Sequence, residues 1–272
     1  MYSDFFEKLN IKNLPFVVRR PMTFLLEVKH KHPRDDLLHF DSTTHSYTVN
    51  NVPYQSVTTI IGSLFEKFDK VRVIQNMIQS KNWCNHELYG KTPHEIAEIW
   101  RQRNEIAMTE GVRLHEDIEQ YLNERNVDNS SVEFQYFLNF YQEQHLEVFR
   151  TEWKIFHEGL HLAGTIDMCS KNSDGTLNIY DWKRSKSIKR YNNYKYSTLK
   201  GLQHLMDTNF NHYSLQLNLY RFILESKYNF KVKNMYIVCL HPANKNNDYL
   251  IYTVNPMVQE LEIILANIHE KK

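Results

Sequence analysis

The sequence predicts an α/β protein, a mixed central sheet flanked by helices, with a helical block preceding the sheet core. Three observations carry this. Apolar residues recur at helical spacing from about 64 to 145, they recur at spacing two from about 148, and strand-like and helix-like segments then alternate to the end of the chain. With 272 residues, 42% hydrophobic and 24% charged, the chain has the composition of a folded globular protein large enough to bury a sizeable core. Seven Gly and seven Pro exclude collagen-like and low-complexity classes.

Residues 1–60 read as a mixed segment with a hairpin, in which Tyr47 and Val49 precede Asn50-Asn51 and Val52 and Tyr54 follow. The β-branched run Val57 to Ile61 reads as a further strand. Residues 61–145 form the helical region. Thr92-Pro93-His94-Glu95 is a capping box with Pro at the first helical position, and the helix it opens is expected to run to about Glu110. Gly111 then fits a C-terminal cap, and a second helix carries Leu114, Ile118, Tyr121 and Leu122 on one face. Residues 146–272 form the core. Phe149 to Phe156, Leu162 to Cys169 and Leu177 to Lys183 read as strands, with a turn at Ser173-Asp174-Gly175. A helix from about Tyr213 to Ser226, strands at Met235 to Leu240 and Tyr249 to Val254, and a closing helix with Val258, Leu261, Ile264, Leu265 and Ile268 on one face complete the series.

Lys and Arg number 33 against 32 Asp and Glu, so an anionic partner must be held by a local patch and not by the overall field. The three cysteines, Cys84, Cys169 and Cys239, are isolated and odd in number, which excludes a disulfide framework and a four-thiolate site within one chain and favours a reducing, intracellular compartment. Asp4 and Glu7 beside the N-terminal aromatics argue against a signal peptide, and the absence of an eighteen-residue apolar run argues against a membrane-integral protein.

The hairpin closed by Ser173-Asp174-Gly175 carries the chemistry. A three-residue loop there sets Asp167 opposite Asp181, and like charges facing each other across a ladder make sense with a divalent cation between them. Leu177, Ile179, Asp181 and Lys183 share one face, so the Lys183 ammonium reaches the same volume. Carboxylate oxygens favour Mg²⁺ or Mn²⁺, and such an ion beside a fixed cation suits phosphodiester hydrolysis. The competing reading of the hairpin by itself is a capped strand end followed by a basic loop.

Gly-Thr-Ile-Asp-Met with Asp167 and Asn-Ile-Tyr-Asp-Trp-Lys with Asp181 and Lys183 resemble the bipartite signature of the PD-(D/E)xK nuclease superfamily, in its RecB-type exonuclease branch. Gly111 and His115 resemble that branch's Gly-x-x-x-His helix, and Gln216 and Tyr220 its Gln-x-x-x-Tyr helix. The segment from Asn50 to Ile61 is similar to the corresponding part of phage, giant-virus and mitochondrial genome maintenance exonucleases, so the likeness spans roughly 45 to 255. It implies a restriction-endonuclease-like core and a metal-dependent exonuclease of replication, repair or recombination acting on DNA. Asp167 and Asp181 would bind one or two metals with the backbone carbonyl of Trp182, His115 would be a further ligand, Lys183 would orient water and stabilise developing charge, and Gln216 and Tyr220 would position DNA. Glu152 resembles an acidic residue at the start of the preceding strand and would be a further metal ligand or support the ligands from behind. Relatives that carry an iron–sulfur cluster use three cysteines after the Gln-Tyr helix, whereas only Cys239 lies after Tyr220, so no such cluster is expected.

Between Trp182 and Met206 lie seven basic and no acidic residues, among them Arg184, Lys186, Lys189 and Arg190, interleaved with Tyr191, Tyr194 and Tyr196. Basic side chains with stacking rings suit single-stranded DNA. An endonuclease, or a nuclease-dead binding module on the same fold, is the alternative reading. His157 and His161 lack the spacing of a helical zinc pair and read as local hydrogen-bond partners, and Trp100, Trp153 and Trp182 as core.

Overall fold

A computed structural model describes residues 25–270; the residues before and after these, including Asp4 and Glu7, lie outside it. After a short helix α1 (Leu26–Lys29), strands β1 (Leu38–Asp41), β2 (Ser46–Val49) and β3 (Val52–Ser56) form an antiparallel meander. The expected hairpin is present, with Tyr47 opposite Tyr54 and Val49 opposite Val52. Asn50 and Asn51 both have positive φ, 49° and 65°, the backbone a tight two-residue hairpin demands and Asn tolerates.

The segment expected as a strand over Val57 to Ile61 is a helix, α2 (Val57–Gly62). Ser56 Oγ accepts the Thr59 N–H at 3.0 Å and caps its first turn. Val57, Ile60 and Ile61 are buried while Thr58 and Thr59 are exposed. That is a helical spacing of apolar groups, and here it outweighs the strand preference of β-branched residues.

The helical block comprises α3 (Lys70–Ile78), α4 (Pro93–Leu122) and α5 (Val132–Gln144). The capping box forms as expected: Thr92 Oγ1 accepts the Glu95 N–H and Glu95 Oε2 accepts the Thr92 N–H. The helix does not stop at Glu110. It continues through Gly111, where a β-carbon would meet nothing within 4 Å, so the two expected helices are one of 30 residues. An interior glycine costs about 1 kcal/mol, which the burial of Leu114, Ile118 and Leu122 beyond it offsets. The start of α4 packs against α3 through Ile74, Leu88 and Ile96, its end packs against α5, and residues 101–109 between are exposed throughout.

The remaining strands are β4 (Val148–His157), β5 (Leu162–Lys171), β6 (Leu177–Lys183), β7 (Val232–Cys239) and β8 (Leu250–Val254), with α6 (Asn209–Lys227) between β6 and β7 and α7 (Val258–Glu270) at the end. α6 begins four residues ahead of the expected Tyr213 because Thr208 caps it. All eight strands join one mixed sheet, antiparallel except for β3 beside β5 and β6 beside β7. Alternate side chains feed two cores. Ile179 and Ile237 pack with α2, α6 and α7, whereas Tyr180, Trp182 and Val238 pack with α4 and α5, so helices cover both faces. Trp153 and Trp182 are core residues as expected, and Trp100 packs at the edge of the α3 cluster. No helix among the described residues is long and apolar enough to cross a membrane.

Strand β5 is the one from which the acidic groups are positioned. β4 pairs along one of its edges from Leu162 to Ser170. Its other edge is shared: β3 takes Leu162 and Ala163, and β6 takes Met168 to Lys171. The residues between, Gly164 to Asp167, face a gap in the ladder.

Candidate active site

The gap is where the acidic groups gather. The turn has the expected three-residue loop, closed by a bond from Asn172 N–H to Thr176 O at 2.8 Å, with Gly175 at φ +82°. The β5–β6 pairing, which ends at Met168 opposite Tyr180, therefore carries Asp167 level with Asp181. On the other side Glu152 stands between the Thr151–Met168 and Trp153–Ile166 pairs, again level with Asp167. Three carboxylates thus lie abreast on three neighbouring strands. Glu152 takes φ +42°, a left-handed backbone that disfavours a residue with a β-carbon and costs on the order of 1 kcal/mol.

His115 reaches this row from the last third of α4, which the packing of Leu114 and Ile118 holds over the sheet. Its Nδ1 lies 3.6 Å from Glu152 Oε1 and 3.7 Å from Asp167 Oδ2. Its Nε2 lies 3.1 Å from the Trp182 carbonyl, which accepts from it. The Trp182 N–H donates to Asp167 Oδ2 at 2.7 Å, replacing a ladder bond with a bond to the carboxylate. Asp181 is held on the opposite side. Lys183 Nζ is 2.8 Å from its Oδ1 and 2.7 Å from its Oδ2, and Gln216 Nε2 donates to Oδ1 at 3.0 Å.

The electrostatics follow from crowding acids out of water. Burial raises the pKa of Asp167 against the pull of His115 and Lys183, and burial likewise pushes Asp181 up to about 6 despite Lys183. Burial by itself would lower the His115 pKa, but Asp167 and Glu152 outweigh it and push it up to about 9. Lys183 is similarly held charged by Asp181 and Asp167 against its own burial. Without a cation in the row the imidazole therefore holds its proton at neutral pH with an ammonium beside it, and a metal bound through Nδ1 would take that proton's place.

Ligand atoms of His115, Glu152 and Asp167 all lie within 4.8 Å of one another. Hard carboxylate oxygens with one imidazole nitrogen suit a divalent cation such as Mg²⁺ or Mn²⁺, so the donor set fits the ion that the sequence led us to expect. The grouping differs from expectation in two respects. Asp167 is grouped with Glu152 and His115, while Asp181 is engaged by Lys183 and Gln216. The backbone carbonyl of Trp182, expected as a ligand, accepts from His115.

Four residues expected to touch DNA are engaged elsewhere. Arg184 forms a shielded ion pair with Glu133 at the start of α5, 2.7 Å from Nε to Oε1. Arg190 lays its guanidinium over Phe210 at 4.4 Å and Tyr252 at 5.6 Å. Gln216 and Tyr220 are buried, with Gln216 Nε2 donating to the Tyr220 hydroxyl at 3.2 Å, so they hold Asp181 from beneath. Lys186 and Lys189 are exposed, as a phosphate contact requires. His157 Nδ1 accepts the Leu160 N–H, the local role expected of it. Tyr213 escaped notice: Lys183 Nζ sits 4.7 Å from its ring, and its place three residues before Gln216 on α6 was the available signal.

No family model and no curated protein matches the chain. Among solved structures, the crystal structure of SSO0001 is similar over 80% of this chain and 75% of that one, with 15% identity and a TM-score of 0.34. Likeness at that level carries no argument about what the chain does.

Proposed function

We propose that this protein is a metal-dependent DNA exonuclease of the PD-(D/E)xK type that hydrolyses phosphodiester bonds from a single-stranded end. The observation that carries the reading is the row of Glu152, Asp167 and Asp181 on three adjacent strands, with His115 above it and Lys183 beside it. An Mg²⁺ or Mn²⁺ held by His115, Glu152 and Asp167 would polarise the phosphodiester and acidify the attacking water. Asp181 accepts from Lys183 and Gln216 and so fixes the ammonium where negative charge develops on the phosphorane. The ring of Tyr213 limits where Nζ can swing. The Trp182 N–H and carbonyl orient Asp167 and the imidazole, so the two nearest donors need little rearrangement.

The requirement for an end is supported by the path of the chain. It leaves the catalytic body at Leu64, whose carbonyl accepts from Ser197 Oγ and the Thr198 N–H, and returns to it along α4 at Leu114 and His115. A strand lying between this helical excursion and the sheet would be enclosed and would enter most readily from an end. Incubation of linear and covalently closed single strands of one sequence with Mn²⁺ tests the reading. Release of nucleotides from the linear form alone is expected. Rapid cutting of circles would replace exonuclease with endonuclease, and binding without shortening of either form would point to a non-catalytic module.

A further inference from the structure

Between β6 and α6 the chain forms a cavity of about 690 Å³, within the range of small-molecule sites. Its lining includes Lys186, Lys189, Tyr191, Tyr194 and Asn209, together with Asp207, whose carboxylate is engaged by His212 Nε2 at 2.9 Å. The backbone that shapes it is pinned. Asn209 Oδ1 accepts the Lys189 N–H at 2.7 Å while its Nδ2 donates to Ser187 O at 2.8 Å. Asn192 Nδ2 donates to Asp207 O at 2.8 Å, and its Oδ1 accepts the N–H groups of Tyr194 and Lys195. The loop is therefore tied to the first turn of α6, yet the rings it carries are left in solvent: Tyr191 is 79% and Tyr194 91% exposed. Neither ring packs on another described aromatic, and neither lysine has a salt bridge to a described carboxylate. Burying such rings is favourable and leaving them out is not, so a loop tied down in this way that displays two of them beside two ammonium groups without salt bridges is arranged to receive a flat, anionic ligand.

The position of the cavity says which ligand. Ser185 at its rim is two residues beyond Lys183, and Asn209 lies seven residues before Gln216 on the same helix, about 10 Å along its axis. That is a step of one or two nucleotides from the carboxylate row. We infer that the cavity is a subsite for one unpaired nucleotide of the strand being cut, with its base stacked on Tyr191 or Tyr194 and its flanking phosphates on Lys186 and Lys189. The identity of the strand rests on the nuclease reading. A base within a duplex has both faces covered by its neighbours and offers nothing to the rings, so the subsite selects single strands by stacking and not by sequence.

Binding is measured in Ca²⁺ with a fluorescent oligothymidylate and with the same phosphate backbone carrying abasic positions, for the wild type and the Tyr191→Ala/Tyr194→Ala variant. The variant should bind oligothymidylate about tenfold or more weakly and should bind the abasic strand as the wild type does. The Tyr191→Phe/Tyr194→Phe variant should restore binding, since the ring and not the hydroxyl does the stacking. Equal affinity of wild type and alanine variant for oligothymidylate, or an equal loss on both strands, overturns the subsite. Cleavage by the same wild-type preparation in Mg²⁺ separates the subsite from the activity. A protein that cuts nothing but shows the base-dependent loss keeps the subsite and loses the nuclease reading, and one that cuts without that loss does the reverse.

Discussion

A β-carbon added to Gly164 would lie 2.5 Å from Cε1 of Tyr220, so the phenol ring rests on the bare backbone of β5 three residues before Asp167. The ring covers the face of β5 beside its unpaired edge, and its hydroxyl accepts from the same Gln216 amide that holds Asp181. Gly164→Ala is expected to destabilise the fold by about 1–3 kcal/mol through overpacking and to lower cleavage by displacing Gln216. Tyr220→Leu in the same chain should return part of the stability and none of the activity. Denaturant titration alongside nucleotide release checks both, and a Gly164→Ala variant with unaltered stability would show that the ring is not seated there.

Glu152 holds its carboxylate beside Asp167 on a left-handed backbone, which Asn accepts more readily than Glu. Glu152→Asn is expected to keep or raise stability, because it relieves backbone strain and like-charge crowding, and to lose cleavage. Lys183→Ala should lower turnover by about 10²–10³-fold with DNA binding retained, since it removes charge stabilisation without touching the trio around Asp167. Wild-type turnover in either variant would refute the role assigned to it.

Arg184 and the lysines beyond it should separate in a salt titration. Neutralising Lys186 and Lys189 together removes two phosphate contacts and should flatten the log–log slope of single-strand binding by about 1.4, roughly 0.7 per contact. Arg184→Gln should leave the slope as it was and reduce stability, because it strands Glu133 in a shielded pair. A slope lowered by Arg184→Gln would place that side chain on the DNA.

His157 gives the fold a predictable acid limb. Burial, with the nearby Lys227 charge, holds its pKa down to about 4. The unfolded chain takes up this proton near the ordinary value of about 6.5, so the neutral ring's contribution is complete above that pH and is lost progressively as pH falls from there towards 4. Chemical denaturation at pH 7, 5.5 and 4 should show a decline in stability that His157→Gln reduces. Parallel pH profiles for the two proteins would remove His157 as the source.

The order of the core strands and helices, the hairpin register that sets Asp167 level with Asp181, and the residue types able to hold a divalent cation were all legible in the amino-acid sequence. These are local matters. A three-residue loop, a side-chain period of two and a capping box each act over a few positions, so they can be read where they stand. The end of α4 and the nature of Val57 to Ile61 could not be read the same way. Gly111 has an unused capping signal because the burial of Leu114, Ile118 and Leu122 beyond it favours one continuous helix, and Ser56 turns a β-branched run into a capped turn because Val57, Ile60 and Ile61 meet the core. Which acids share a centre was set by tertiary contacts alone. Glu152 stands beside Asp167 because β4 pairs with β5 and its backbone turns left-handed, Arg184 leaves because Glu133 on α5 comes within 2.7 Å, and Tyr220 turns inward because Gly164 leaves room for its ring on β5. Each of these depends on residues far apart in the chain meeting in space, and no local pattern records that.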